Sequence, residues 1–123
     1  MPVVRIEAIV RGSPDLPALL RAVADAVAAA LHTDAKACWV TFRELAPGTY
    51  LEGGRVRTAA DAHEASPLVE IHAYRGRSAM QKASAMKAVA AAVGHGLGSD
   101  PANVFVEYRE LPAGHVFTGG QVQ

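Results

Sequence analysis

The sequence predicts an α/β fold of the α+β kind. Two tandem βαβ units form a four-stranded sheet, with two helices covering one face. Three observations predict it. Stretches at Val3–Val10 and Pro67–Ala73 alternate apolar and polar residues, as strands with one buried face do. Two longer stretches carry apolar residues at helical spacing. The second half of the chain also repeats the first. Pro67-Leu68-Val69-Glu70-Ile71-His72-Ala73 echoes Pro2-Val3-Val4-Arg5-Ile6-Glu7-Ala8 at an offset of 65. Trp39 to Leu45 lines up with Phe105 to Leu111 at an offset of 66, and Gly48, Gly53 and Gly54 fall on Gly114, Gly119 and Gly120.

In the first strand, Val4, Ile6 and Ala8 share one face and Arg5 and Glu7 the other. Ser13 suits an N-cap and Pro14 the first helical position, so a helix is expected over 14–32. Leu16, Leu19, Leu20, Val23, Val27 and Leu31 form its stripe. Cys38 to Leu45 is the next strand, with Val40 and Phe42 on one face and Trp39, Thr41 and Arg43 on the other. Pro47-Gly48 opens a hairpin that ends near Gly53-Gly54. Residues 55–66 have no usable period and are expected to be a surface linker. The repeats are thus 2–54 and 67–120 within one domain, 1–123. In the second repeat, Ser78 and Gln81 form a capping box. Met86, Val89, Ala90, Val93 and Leu97 make the helical stripe, and Gly94, Gly96 and Gly98 are expected to fray and end it. Val104 to Leu111 is the last long strand, followed by a hairpin at Gly114 to Gly120.

A parallel pair within each unit requires a right-handed crossover, so both helices cover the same sheet face. The other face then carries Arg5, Glu7, Arg43, Glu70, His72, Glu107 and Arg109 together with Trp39 and Phe105. Mixed charge beside large aromatics predicts packing against copies of the chain, with the charges paired.

Composition narrows the function. The 123 residues suffice for one domain, and aromatics make up only 6% of them, so the core is built from Val, Leu, Ile and Ala. Formal net charge is zero, and no basic run supports binding to nucleic acid or a membrane surface. Cys38 is the lone cysteine, so no intrachain disulfide forms. Charges at Arg5, Glu7 and Arg11 break the apolar start, so no signal peptide is read, and no apolar run is long enough to span a bilayer. A cytoplasmic protein is expected. No histidine pair has convincing metal-ligand spacing.

The chemistry-bearing feature is Met1-Pro2 at the head of a strand. A small residue in second position permits methionine removal, which would leave Pro2 as a free secondary amine able to act as base, acid or nucleophile. In the second half, Pro67, Ile71-His72, Gly76-Arg77-Ser78, Gln81-Lys82, Gly114-His115 and Gly119-Gly120 resemble the 4-oxalocrotonate tautomerase family. The first half resembles a diverged copy beginning at Pro2. With both copies in one chain, the protein resembles the fused members of the tautomerase superfamily, which implies a homotrimer.

The resemblance implies a cofactor-free, metal-free enol–keto tautomerase acting on a small carboxylate-bearing substrate such as a 2-hydroxy-dienoate or enolpyruvate-type acid. It implies Pro2 as general base; Pro67, inside the chain, has only an amide nitrogen. It implies Arg77 as the substrate-carboxylate clamp, with Arg75 and Arg11 as further candidates. A guanidinium fork holds a carboxylate through two hydrogen bonds. The family's hairpin aromatic falls on Tyr50, and Trp39 is a candidate pocket wall. The family's second arginine falls on Trp39 and Phe105, which puts a dicarboxylate substrate in doubt. Two alternatives stay open: a decarboxylase or hydrolytic dehalogenase using a protonated Pro2 as acid, and a non-catalytic trimeric binding module.

Overall fold

A computed structural model describes residues 1–123. Its long strands are β1 (Val3–Ala8), β2 (Trp39–Glu44), β5 (Leu68–Tyr74) and β6 (Phe105–Leu111). They form one sheet in the order β2-β1-β5-β6. The pairs β1–β2 and β5–β6 are parallel, while β1 and β5 meet antiparallel at the centre. Two short ribbons follow the outer strands: β3 (Leu51–Glu52) with β4 (Arg55–Val56), and β7 (Phe117–Thr118) with β8 (Gln121–Val122). The expected pair of βαβ units is present, related by a pseudo-twofold axis between β1 and β5.

Helices α1 (Leu16–Leu31) and α2 (Ala79–Leu97) lie side by side on one sheet face. Leu19, Val23, Val27 and Leu31 of α1 join Ala85, Val89 and Val93 of α2 over Val4, Ile6, Val69, Ile71 and Ala73. Full burial of each branched side chain among these stabilises by roughly 1.5–3 kcal/mol, so the helix stripes anchor the helices firmly. The strand alternation read from the sequence is the one observed: Arg5, Glu7, Glu70 and His72 stand on the face opposite the helices. There Arg43 pairs with Glu7 at 3.8 Å, His72 with Glu70 at 3.2 Å, and Arg109 with Glu107 at 2.5 Å. Trp39 and Phe105 on the edge strands remain 53% and 57% exposed.

Three local expectations change. Helix α1 is capped by Asp15, whose side chain accepts from the Ala18 N–H, and Pro17 rather than Pro14 sits in the first turn. An Asp side chain three residues before a free amide outcompetes the earlier serine. Residues 55–66 are an ordered strap: β4 is followed by a 3-10 turn at Ala59–Asp61, and Ala62 and Ala65 bury against Ile9, Leu45 and Tyr50. Arg57, only 8% exposed, is held between Glu52 at 3.5 Å and Asp61 at 3.6 Å. Two alanines and the Arg57 ion pairs to Glu52 and Asp61 fix the strap, too sparse a pattern to show periodicity.

Gly94 and Gly96 do not fray α2. The helix runs to Leu97, and Gly98, at φ 70°, forms its left-handed cap. The two inner glycines permit close approach. A Cβ on Gly94 would stand 2.7 Å from the Ser99 carbonyl oxygen and 3.0 Å from the Pro101 nitrogen, both backbone atoms. One on Gly96 would meet the mobile Cδ1 end of Leu19 at 2.6 Å. Gly94→Ala is therefore expected to destabilise the protein by about 1–3 kcal/mol through overpacking. In Gly96→Ala, the gain in helix propensity, about 1 kcal/mol, offsets much of the cost. Urea denaturation of the two variants side by side checks the contrast.

Candidate active site

Pro2 begins β1 with its side chain fully buried, and its carbonyl accepts the Trp39 N–H at 3.0 Å. Pro67 is its counterpart at the head of β5, equally buried, its carbonyl accepting the Phe105 N–H at 2.9 Å. Because β1 and β5 are antiparallel, the two prolines lie at opposite ends of the sheet. Val3 pairs with His72, so the next step of the register sets Pro2 against Ala73. The chain leaving β5, from Tyr74 to Ser78, therefore passes the Pro2 end.

Arg77 comes to the Pro2 end from that connection. Gly76, at φ 120°, makes the bend before it, and Ser78 starts α2 with the expected capping box. The Arg77 guanidinium makes one long bond, Nη1 donating to the Tyr74 carbonyl at 3.5 Å, and has no carboxylate partner in the chain. Its charge nevertheless reaches the chain's amino terminus. The Met1 amine is held below its ordinary value, first by burial and then by Arg77, with Cys38 acting weakly the other way. Both leading effects disfavour the protonated amine. Cys38, the residue before β2, flanks this position; burial pushes its thiol up, so it is a neutral packing group.

The other sequence candidates fall elsewhere. Arg75 lines a neighbouring cleft of about 270 Å³ with Tyr74, Leu111, Ala113 and Gln123, and is not among the charges acting on the terminal amine. Arg11 is exposed beyond the far end of β1, at the Pro67 end. Tyr50 is also at that end. Its hydroxyl donates to the Ser66 carbonyl at 2.9 Å, and it lines a cleft of about 360 Å³ with Glu52, Leu68 and Phe105. Trp39 touches Pro2 through the backbone only, since strand parity sends its side chain to the face away from the helices. Within one chain Arg77 is the candidate whose charge reaches the amino terminus next to Pro2, while Arg11 and Tyr50 lie at the Pro67 end and the Trp39 ring on the outer sheet face.

Sequence reasoning missed a polar group on the helix-facing side of β6. Tyr108, Lys82 and Glu110 lie together there, the Lys82 Nζ 2.6 Å from Glu110 Oε1 and 5.9 Å from the centre of the Tyr108 ring. The same Arg77 charge that acts on the amino terminus acts on the Tyr108 hydroxyl. Comparison of the two repeats could have found this group: at the offset of 66, Phe42 occupies the place of Tyr108, and Leu16 that of Lys82. No three His, Cys, Asp or Glu side chains gather to hold a metal, and no helix is long and apolar enough to cross a membrane.

The two βαβ units and the mixed sheet make the fold tautomerase-like, and comparison with solved structures agrees on the fold. A fused 4-OT, described as a wild type symmetric trimer, superposes with a TM-score of 0.84 at 23% identity, over 98% of this chain and 94% of that one. Pt0534 inactivated by 2-oxo-3-pentynoate gives a TM-score of 0.86 at 21% identity, with the same coverage. Malonate semialdehyde decarboxylase gives 0.71 at 22% identity, over 95% of this chain and 90% of that one. This chain thus has the fold of the fused, tandem-βαβ tautomerase superfamily. No family model and no curated protein sequence matches it.

Proposed function

We propose that the protein is a cofactor-free enol–keto tautomerase for small 2-hydroxy-dienoate or enolpyruvate-type acids, with Pro2 as general base and Arg77 as carboxylate clamp. The observation that carries this reading is the lowered terminal amine beside an arginine with no carboxylate partner of its own. Once Met1 is removed, the free amine is the Pro2 nitrogen. It takes the proton of the substrate's enol hydroxyl and returns a proton to carbon, while Arg77 holds the carboxylate. A base that is neutral near pH 7 contributes roughly 10²–10⁴-fold.

Of the alternatives, the acid-type chemistry of a decarboxylase or dehalogenase needs a protonated Pro2; the burial and the Arg77 charge that lower the neighbouring Met1 amine favour the base reading instead. The open sheet face, with its charge ladder and exposed Trp39 and Phe105, supports assembly, and the fused 4-OT neighbour is a trimer. A trimer of this chain would cover that face. Intact mass of the purified protein, read together with turnover of a 2-hydroxy-dienoate, tests the reading. The expected result is loss of Met1 and measurable ketonisation. Retained Met1, or a processed protein with no ketonisation of such acids, contradicts it.

A further inference from the structure

We infer that residues 58–65 are a releasable plug, with which the chain itself fills, at the Pro67 end, the seat that stands open as a cleft at the Pro2 end. The inference does not depend on the Pro2–Arg77 reading. The first observation is that the two seats match. The open cleft, of about 270 Å³, is lined by Tyr74, Leu111 and Gln123 among others. Their counterparts are Ile9, Leu45 and Arg57, at an offset of 65 for Tyr74 and 66 for the other two. The backbone beside both seats is bonded alike. The Arg57 N–H donates to the Tyr50 carbonyl at 2.8 Å, and its carbonyl accepts from the Gly48 N–H at 3.1 Å. Gln123 makes the matching bonds with Val116 and Gly114, at 2.7 and 2.5 Å. Ile9 and Leu45, however, are packed against Ala62 and Ala65 of the strap, which are only 5% and 2% exposed. The cleft of about 360 Å³ at the same end is a different place, since its Leu68 and Phe105 match Val3 and Trp39.

The second observation is how the plug is attached. Within 58–65 only the two alanines are buried, and Thr58, Ala59, Ala60, His63 and Glu64 are exposed. Two alanine side chains remove little apolar surface from water, so burial alone holds the segment weakly. The latch is Arg57, between Glu52 and Asp61. Its carboxylate partners stand at 3.5 and 3.6 Å, and its Nε and Nη1 are buried without a hydrogen bond. Buried polar groups are nearly always satisfied, and these return to water when the plug lifts, which offsets part of the cost of opening. The pairs of Arg55 with Asp61 and Glu64 are exposed and add little.

Both ends of the plug are fastened more firmly than its middle. Arg57 keeps its two backbone bonds, and Ser66 donates its N–H to Glu52 Oε1 at 2.7 Å while its carbonyl accepts the Tyr50 hydroxyl at 2.9 Å. Outside the latch, one further bond to the body must break, from Asn103 Nδ2 to the Glu64 carbonyl at 2.8 Å. Segments with few buried apolar contacts open locally at far lower cost than the whole fold. The plug thus closes one of two matched seats, at the end where Pro67 has only an amide nitrogen, and its release uncovers a latent apolar cleft over Ile9 and Leu45.

Thiol labelling tests the plug. In a Cys38→Ala background, Ile9→Cys and Tyr74→Cys place a cysteine at the two matched positions. Iodoacetamide is expected to label Tyr74→Cys about tenfold or more faster than Ile9→Cys. Adding Asp61→Asn removes the charge from the latch and keeps the side chain's shape. It is expected to speed labelling of Ile9→Cys by about 10- to 100-fold and to leave Tyr74→Cys unchanged. Val23→Cys, in the core between helices and sheet, reports global unfolding and is expected to stay protected in both backgrounds. Hydrogen exchange read by mass spectrometry needs no cysteine: Asp61→Asn is expected to lose protection over 58–65 while α1 and α2 keep theirs. Equal labelling of Ile9→Cys and Tyr74→Cys, no acceleration by Asp61→Asn, or a loss of protection shared by Val23→Cys and the helices overturns the plug.

Discussion

Replacing Pro2 by alanine is expected to lower kcat for enol ketonisation by about 10²–10⁴-fold, the range that a positioned general base contributes. Alanine also permits removal of Met1, so the variant keeps a terminal amine. It loses the ring that fixes that amine's direction. Pro2 is fully buried and its carbonyl is tied to Trp39, so the nitrogen is aimed by the strand itself. A primary amine on a flexible first residue has no such aim, and misplacement of a reacting group by an ångström can cost 10²-fold. Pro67→Ala is the matched control. It removes an equally buried ring at the equivalent place, whose nitrogen is an amide, and turnover is expected to be unchanged. Equal loss in both variants would mean that the proline rings act through packing alone.

Arg77→Ala is expected to lower kcat/KM by about 10- to 100-fold, mainly through KM. That corresponds to the roughly 1.5–3 kcal/mol of a hydrogen bond to a charged group. Its Nη1 bond to the Tyr74 carbonyl is long, at 3.5 Å, and it forms no ion pair in the chain, so little folding stability depends on it. Steady-state kinetics with a 2-hydroxy-dienoate give the split between kcat and KM, and thermal denaturation confirms that the fold is retained. Arg75→Ala is the informative comparison, because Arg75 lines a separate cleft. A loss at Arg75 equal to that at Arg77 would place the substrate carboxylate differently.

Most of the fold was legible because it is written twice. Neither strand nor helix periodicity alone would have given the sheet order, but the internal copy at Pro67 made two βαβ units the economical solution. The same copy supplied Arg77. What the repeat could not supply was which end of the molecule each matched residue serves. Antiparallel pairing of β1 with β5 sends the connection after each central strand to the other repeat's proline. Arg11 and Tyr50, offered from the resemblance as a further arginine and a pocket wall, therefore lie at the Pro67 end of the same chain. The Trp39 ring stands on the outer sheet face that its strand parity gave it, so within one chain it does not face the Pro2 ring. Tyr108 was passed over because strand alternation marks it as core. Its hydroxyl became visible as unpartnered only once the packing was known. Residues 55–66 lacked a period because the two ion pairs of Arg57 and two buried alanines suffice to fix them.

The central claim is that a neutral Pro2 amine, kept neutral by burial and Arg77, removes the substrate proton. The pH dependence of kcat/KM in the wild type and in Arg77→Ala tests it most directly. A base must be unprotonated, so activity rises with pH as the amine loses its proton. Burial and the guanidinium both disfavour the charged Met1 amine; the account extends the same two effects to the Pro2 amine exposed by processing, which places the wild-type rise below the position of an unperturbed amine. Removing the Arg77 charge relieves one of these effects, so the rise in Arg77→Ala is predicted to move to higher pH. A wild-type profile that instead falls as the amine deprotonates, or a rise that moves to lower pH in Arg77→Ala, would contradict the account.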